Sequence, residues 1–373
     1  MTKVSTRVSA IAAAALLSIL GACSSGLDSG ASDTADEAVT DVSSYEKAAE
    51  DATAPVTAWP GPVDGPAAQR GKKVMWISCG LAAEGCKLPV DAAKEGAETL
   101  GWTLRVVDGQ FDPKIYNRAV REAIDQDYDA IVLNSISIDA VSEAVKAARA
   151  KGIAVGSWDA GNTASDTGVQ FEVDQPLEQQ GVNMANYLIW KAGGDVKAYV
   201  TETREFNVVT QWIGGAVKTL EACDTCSIVR TDNFTANDAA TRIPTTMVSA
   251  LRENSTINTV FGAYDAGMLA AVPAIRSAGF GDDIRIGSFN GIAPMLKFVR
   301  DGKVSATSAV PMKWGGYAAL DNINRLLAGE EPVAQNIPTR LITTENVDEI
   351  PAGEPWSGDV DYQAEFTKIW EGR

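Results

Sequence analysis

The sequence predicts an α/β protein of two doubly wound parallel-sheet lobes, and three observations predict it. Short apolar segments of strand type alternate with segments of helical period from residue 73 to residue 327. Strands separated by helices imply crossover units and parallel sheets. The alternation comes in two series with a break after Trp158. Together the strands exceed one compact sheet, which usually holds about 4–6, and the 373 residues suffice for two lobes.

The chain begins with Lys3 and Arg7, then an apolar run over 8–20 broken only by Ser9 and Ser18, then Gly21 and Ala22. These are the parts of a secretory signal. The run is short of the roughly 20 residues needed to span a bilayer. Leu20-Gly21-Ala22-Cys23 resembles the lipobox of bacterial lipoproteins. That resemblance implies a signal peptide over 1–22, lipid on Cys23, and an extracytoplasmic protein anchored to the cell membrane. An ordinary cleaved signal beside an incidental cysteine is the alternative. Residues 23–70 are acidic and rich in Ser, Ala, Asp, Gly and Pro. They hold too few aliphatics to fold alone and read as a tether. Within it, 43–52 suits a short helix with Ser43 or Ser44 as N-cap. Pro55, Pro60, Pro62 and Pro66 forbid regular structure beyond it.

The first series opens with a strand over 73–78 and a helix over 88–100, ended by Gly101. A strand over 103–107 precedes a helix from Pro113 to about 125, with Asp112 as N-cap. A buried-type strand over 130–133, a helix over 139–150 stopped at Lys151-Gly152, and a strand over 153–158 complete it. In the second series, strands over 168–173, 196–201, 227–230, 259–262, 284–288 and 304–309 alternate with helices. The helices are expected over 175–192, from about 209 to 222, over 239–253 interrupted by Pro244, and over 266–278, 293–300 and 317–327. Ligands of such sheets bind outside the carboxyl ends of the strands, so the residues just after each strand are the ones to inspect.

The formal charge is −17, and removal of Lys3 and Arg7 with the signal takes the mature side chains to −19. That balance argues against nucleic acid, which needs a basic footprint, and against a polybasic membrane contact. Histidine is absent, which removes Ser-His-Asp and Cys-His nucleophile systems and zinc sites that use imidazole. No catalytic residue, metal or cofactor is expected. After Cys23 four cysteines remain, in two local pairs, Cys79 with Cys86 and Cys223 with Cys226. An oxidising location favours two disulfides, although four cysteines allow three connectivities. A four-cysteine zinc site and a redox role for Cys223-Asp-Thr-Cys226 are the alternatives.

Several segments, taken in order over about 72–349, resemble the periplasmic sugar-binding proteins of ABC importers, in particular the ribose-binding-protein-like group. They are residues 72–78, residues 152–159 ending in Trp158-Asp159, residues 258–265 ending in Tyr264-Asp265, residues 284–291 with Phe289-Asn290-Gly291, and residues 301–307. The resemblance implies the type I periplasmic binding protein fold, with two lobes joined by a three-segment hinge near 173–174, 309–311 and 338–339. The lobes are then 71–173 with 311–339, and 174–310 with 340–373. It also implies closure on a small polar ligand, most simply a sugar or polyol, and delivery to an ABC permease with its ATPase. A ligand-sensing subunit for a receptor kinase or chemoreceptor is the alternative within the same fold. A glycosidase built on paired carboxylates is the alternative of another class.

By the same resemblance Asp159 accepts ligand hydroxyls, since a carboxylate takes bidentate, charge-assisted hydrogen bonds. Trp158 is placed to stack on an apolar ligand face. Asn290 stands where the family has aspartate, Phe289 matches the aromatic before it, and Tyr264 stands beside the matching Asp265 where asparagine is frequent. Arg204 lies in the loop where the family has an arginine. Glu84 lies in a first loop that departs from the family, since Cys79 and Cys86 enclose it. Val310 replaces a sugar-contacting glutamine, so ribose itself is not implied.

Overall fold

The computed structural model describes residues 41–281 and 283–372. The signal segment, Cys23 and the tether before residue 41 lie outside the described residues. Helix α1 (Ser43–Thr53) opens the described chain, close to its expected span. The first lobe then runs β1 (Lys73–Ser78), α2 (Glu84–Leu100), β2 (Thr103–Asp108), α3 (Pro113–Asp125), β3 (Ala130–Asn134), α4 (Ser142–Ala150), β4 (Ala154–Trp158) and β5 (Phe171–Glu172). The second runs α5 (Leu177–Lys191), β6 (Lys197–Glu202), α6 (Asn207–Glu221), β7 (Ser227–Asn233), α7 (Arg242–Glu253), β8 (Thr259–Phe261), α8 (Asp265–Met268), α9 (Ala271–Ile275), β9 (Arg285–Asn290), α10 (Ala293–Arg300) and β10 (Ala306–Ala309). Helix α11 (Met312–Ala328), β11 (Arg340–Thr343) and α12 (Tyr362–Trp370) complete the chain.

The first sheet has the order β2-β1-β3-β4-β5 and is parallel throughout. The second has the order β7-β6-β8-β9-β10-β11, parallel except for β11, which pairs antiparallel with β10. Both sheets are thus wound outward in the same way from their second position. Alternate strand residues point to opposite faces, and both faces are covered. Val74 and Trp76 join one core while Met75 and Ile77 join another. In the second sheet Val260 and Phe261 divide likewise. This is why the central strands read as unbroken apolar runs.

Local departures from the expected elements have plain causes. Pro244 is the third residue of α7. An N–H is not needed there, so the helix is not interrupted. The helix expected over 266–278 breaks into α8, α9 and a π-type turn at Arg276–Phe280. Pro273 removes a donor inside it. The strand expected over 168–173 shrinks to β5 at the sheet edge.

Two departures concern the lobes. The C-terminal remainder 340–373 was expected in the second lobe, but α12 packs in the first: Phe366 and Trp370 share a core with Trp76 and Tyr317. Residues 41–70, expected as part of a tether, lie against both lobes. Ala49 of α1 is buried in the second lobe's core, and Trp59 stacks on Trp314 of α11 at 4.9 Å. The stretch is too polar to make a core of its own, but it completes one that α11 and α12 leave open.

The chain passes between lobes at 173–176, 309–311 and 329–339, and again before α12 and after α1. Buried Arg340 ties these passages together. Its Nε donates to the Thr53 carbonyl at 2.7 Å, and its other nitrogens pair with Glu349 at 2.6 Å and Asp359 at 3.3 Å. Asp359 accepts in turn from the Val56 N–H and the Trp356 indole. Because residues 55–70 are part of the fold, Trp59→Ala should lower the unfolding free energy by about 2 kcal/mol. Urea denaturation measures this, and an unchanged midpoint would show that the segment is a free tether.

Candidate functional site

A cavity of about 400 Å³ lies where the two sheets present their carboxyl ends to each other. Every wall residue ends a strand or follows one. The first lobe supplies Ala82, Ala83, Gly85 and Cys86 after β1, Phe111 after β2, Ser135 after β3 and Asp159 after β4. The second supplies Phe206 and Trp212 after β6, Asn237 after β7, Tyr264 after β8, and Asn290 with Ile292 at the end of β9. Two disulfides close the local pairs, Cys79–Cys86 with Cα atoms 6.1 Å apart and Cys223–Cys226 at 5.3 Å. The first fixes the loop that forms one wall.

Four wall residues hold positive φ: Phe111 at 55°, Ser135 at 53°, Asp159 at 53° and Asn290 at 122°. Non-glycine residues rarely adopt this region, and such strain persists only where the surroundings enforce it. The enforcing contacts are visible. Glu172 of β5 accepts from the N–H groups of Ala160 and Gly161 and from the Ser157 hydroxyl, which fixes the turn carrying Asp159. Asp159 Oδ1 accepts from Gln175 at 2.9 Å, and Oδ2 from Ser135 at 3.1 Å. Asp265, wholly buried, accepts from the N–H groups of Gly291 and Ile292 at 2.7 and 3.1 Å and from the Thr307 hydroxyl, which fixes the turn carrying Asn290.

Burial raises all three carboxyls, against the pull of their hydrogen bonds: Asp159 to about 6, Glu172 to about 7 and Asp265 to about 7. Burial also raises the Tyr264 phenol, so its hydroxyl remains a donor at neutral pH. That hydroxyl and the Asn237 and Asn290 side-chain amides have no partner among the described residues. They are unspent hydrogen-bonding groups at the wall of a cavity.

The structure separates the expected ligand residues into two groups. Asp159, Tyr264 and Asn290 face the cavity. Trp158 does not: it is fully buried in the first lobe's core, against Gly315 of α11. Phe289 does not: it is fully buried and stacks on Trp212 at 5.2 Å, so the second ring, not the first, reaches the wall. Asp265 is a brace beneath the Asn290 turn. Glu84 reaches across the cleft to the Ala293 N–H at 3.4 Å, at the start of α10. Arg204 pairs with Glu202 at 2.8 Å, largely exposed, and lines only a side cavity beside the main one. The sequence reading missed Ser135, Phe111, Phe206, Trp212 and Asn237. Ser135, Phe111, Phe206 and Asn237 sit between a strand and the next α-helix, which is the signal that could have found them; Trp212, inside α6, carries no such signal.

The lobes touch across the cleft. Asn207 donates to the Ser137 hydroxyl at 3.0 Å and Gln211 to the Gly161 carbonyl at 3.1 Å. The Phe111 and Phe206 rings meet edge to face at 6.4 Å. Gly161 has φ 62°, and a Cβ there would lie 2.8 Å from the Val208 nitrogen, so only glycine permits this approach.

Comparisons with known proteins agree with this geometry. The profile of the periplasmic binding protein domain family matches residues 84–331. The ribose import binding protein of Salmonella typhimurium is 26% identical over 245 residues, covering 66% of this chain and 81% of that protein. The Bacillus subtilis ribose import binding protein is 27% identical over 235 residues, covering 63% and 75%. Among solved structures, a Burkholderia graminis ABC-transporter solute-binding protein in complex with D-arabinose superposes with a TM-score of 0.70 at 19% identity, covering 77% of this chain and 99% of that one. A Bacillus halodurans solute-binding protein with bound myo-inositol gives 0.69 at 20%, covering 76% and 98%.

The raised carboxyls fix a sign for pH dependence. Glu172 titrates near 7 in the fold and near 4 in an unfolded chain. The fold therefore holds a proton that the unfolded chain has released, and the stability this contributes is full below about pH 4 and lost as pH rises through about 7. Glu172→Gln keeps the turn and removes the titration. Between about pH 4.5 and 7.5 it should lose less stability than the parent, by about 3 kcal/mol. Denaturation at both pH values measures this, and equal losses would contradict it.

Proposed function

We propose that this chain, which belongs to the periplasmic binding protein domain family, captures a sugar or polyol between its two lobes and delivers it to the permease of an ABC importer. One observation carries the reading. The cavity where both sets of strand ends meet holds three polar groups, on Asn237, Tyr264 and Asn290, that have no partner among the described residues. Such groups are open to water in the cavity, and a ligand's hydroxyls can take over the hydrogen bonds that water makes there. The relatives point to the class of ligand: ribose, D-arabinose and myo-inositol are polyhydroxylated.

The mechanism is capture followed by closure, with no bond made or broken. Each lobe supplies half of the wall, so a ligand contacts both halves only when the lobes approach. The Asn207–Ser137 and Gln211–Gly161 hydrogen bonds then hold the rims together. The rigid Cys79–Cys86 loop lowers the ordering cost of binding. Lipid on Cys23 would keep the closed form near a membrane permease. In that case Cys23→Ala releases the protein from cell membranes into the medium, which fractionation measures.

A screen of sugars, polyols and nucleosides should find ligands that stabilise the purified protein. At a hundredfold over its dissociation constant a ligand adds about 2.7 kcal/mol. Asn290→Ala should weaken such a hit at least tenfold, about 1.4 kcal/mol, by calorimetry. No hit across the screen would overturn the reading.

A further inference from the structure

The cavity wall carries one formal charge, and it is negative. Among its side chains the polar ones are Ser135, Asp159, Asn237, Tyr264 and Asn290, with no lysine or arginine. The nearby cations are spent on the surface, Arg204 on Glu202 and Arg242 on Asp238. The residue after Asp159 is Ala160, so the carboxylate has no basic neighbour in the turn. Its two partners, Gln175 and Ser135, are neutral donors that take one site on each oxygen. A carboxylate has about four acceptor sites, so further sites are open to a ligand.

A carboxylate that is 5% exposed and lacks a cation is costly to keep ionised. Its folded-state titration near 6 reflects that cost. The rest of the wall is largely apolar and aromatic, with Phe111, Phe206, Tyr264 and Trp212 contributing rings. Ring faces are negative and attract a cation desolvated beside them. The arrangement has a charged acceptor, π faces and only neutral donors. It therefore disfavours an anionic ligand and is completed by a positive one.

We propose that the cleft selects an amine-bearing sugar or cyclitol, its ammonium group on Asp159 and its ring between the aromatic walls, over neutral polyols and sugar acids. This rests on the capture reading above and narrows it. A charge-assisted hydrogen bond is about twice as strong as a neutral one, and here it also neutralises a buried charge.

The test is calorimetry at neutral pH with D-glucosamine, D-galactosamine and D-mannosamine, each beside its parent hexose and, for the first two, its uronate. At least one amine should bind tenfold or more tightly than its parent, and the uronates should give no heat. Asp159→Asn should erase that preference. Gln175→Lys should erase it too, because it puts the chain's own ammonium within reach of the carboxylate oxygen that Gln175 now holds at 2.9 Å. Thermal unfolding of both variants separates lost selectivity from lost fold. A hexose that binds as tightly as its amine, a bound uronate, or an amine preference that survives in both folded variants overturns the proposal and leaves the capture reading standing. Silence from every compound counts against both.

Discussion

In a parallel sheet every strand-to-helix loop opens at the same edge, and the rest of this molecule depends on that constraint. The two sheets bring those edges together. Ser135, Asp159, Phe206, Tyr264 and Asn290 are far apart in sequence, yet each is the residue, or nearly the residue, that ends a strand or follows it. No long-range design of the loops is needed to gather them. What the sheets require in return is cover on both faces, and α11, α12 and residues 41–70 supply part of it from the far ends of the chain. The additional lobe crossings follow from that need, with Arg340 as the buried tie where they meet.

The carboxylates divide by what surrounds them. Glu172 and Asp265 spend their oxygens on backbone N–H groups and hydroxyls of two turns. They hold Asp159 and Asn290 in strained backbone positions, and so shape the cavity wall only through those residues. Asp159 alone has acceptor capacity left over at the cavity. Without neighbouring cations its burial is unfavourable, and a cationic partner would offset that cost.

Much of the fold was legible because apolar strands covered on both faces leave unbroken runs, as at 73–78 and 130–134, and because Gly101 and Asp112 mark helix ends. The site was legible in part. Trp158 with Asp159 and Phe289 with Asn290 are neighbours at strand ends, where successive side chains point to opposite sides. Only one of each pair can face the cleft, and sequence alone does not say which. Trp212 reaches the wall from the second turn of α6, and Phe111 from a loop whose path is set by β1 and β3. Those positions depend on packing between elements. So does the fate of residues 41–70, whose composition forbids an independent core but not a place on someone else's.

The central claim is that one ligand is held by strand-end loops of both lobes at once. Hydrogen–deuterium exchange with and without a sugar or polyol that stabilises the protein tests it most directly. Capture between both lobes predicts new protection at 82–86 and 159–162 in the first lobe and at 206–212, 236–240 and 290–292 in the second, in one concerted change. Protection confined to one lobe, or to the cavity lined by Arg340, Trp356 and Asp359 behind the hinge, would contradict it.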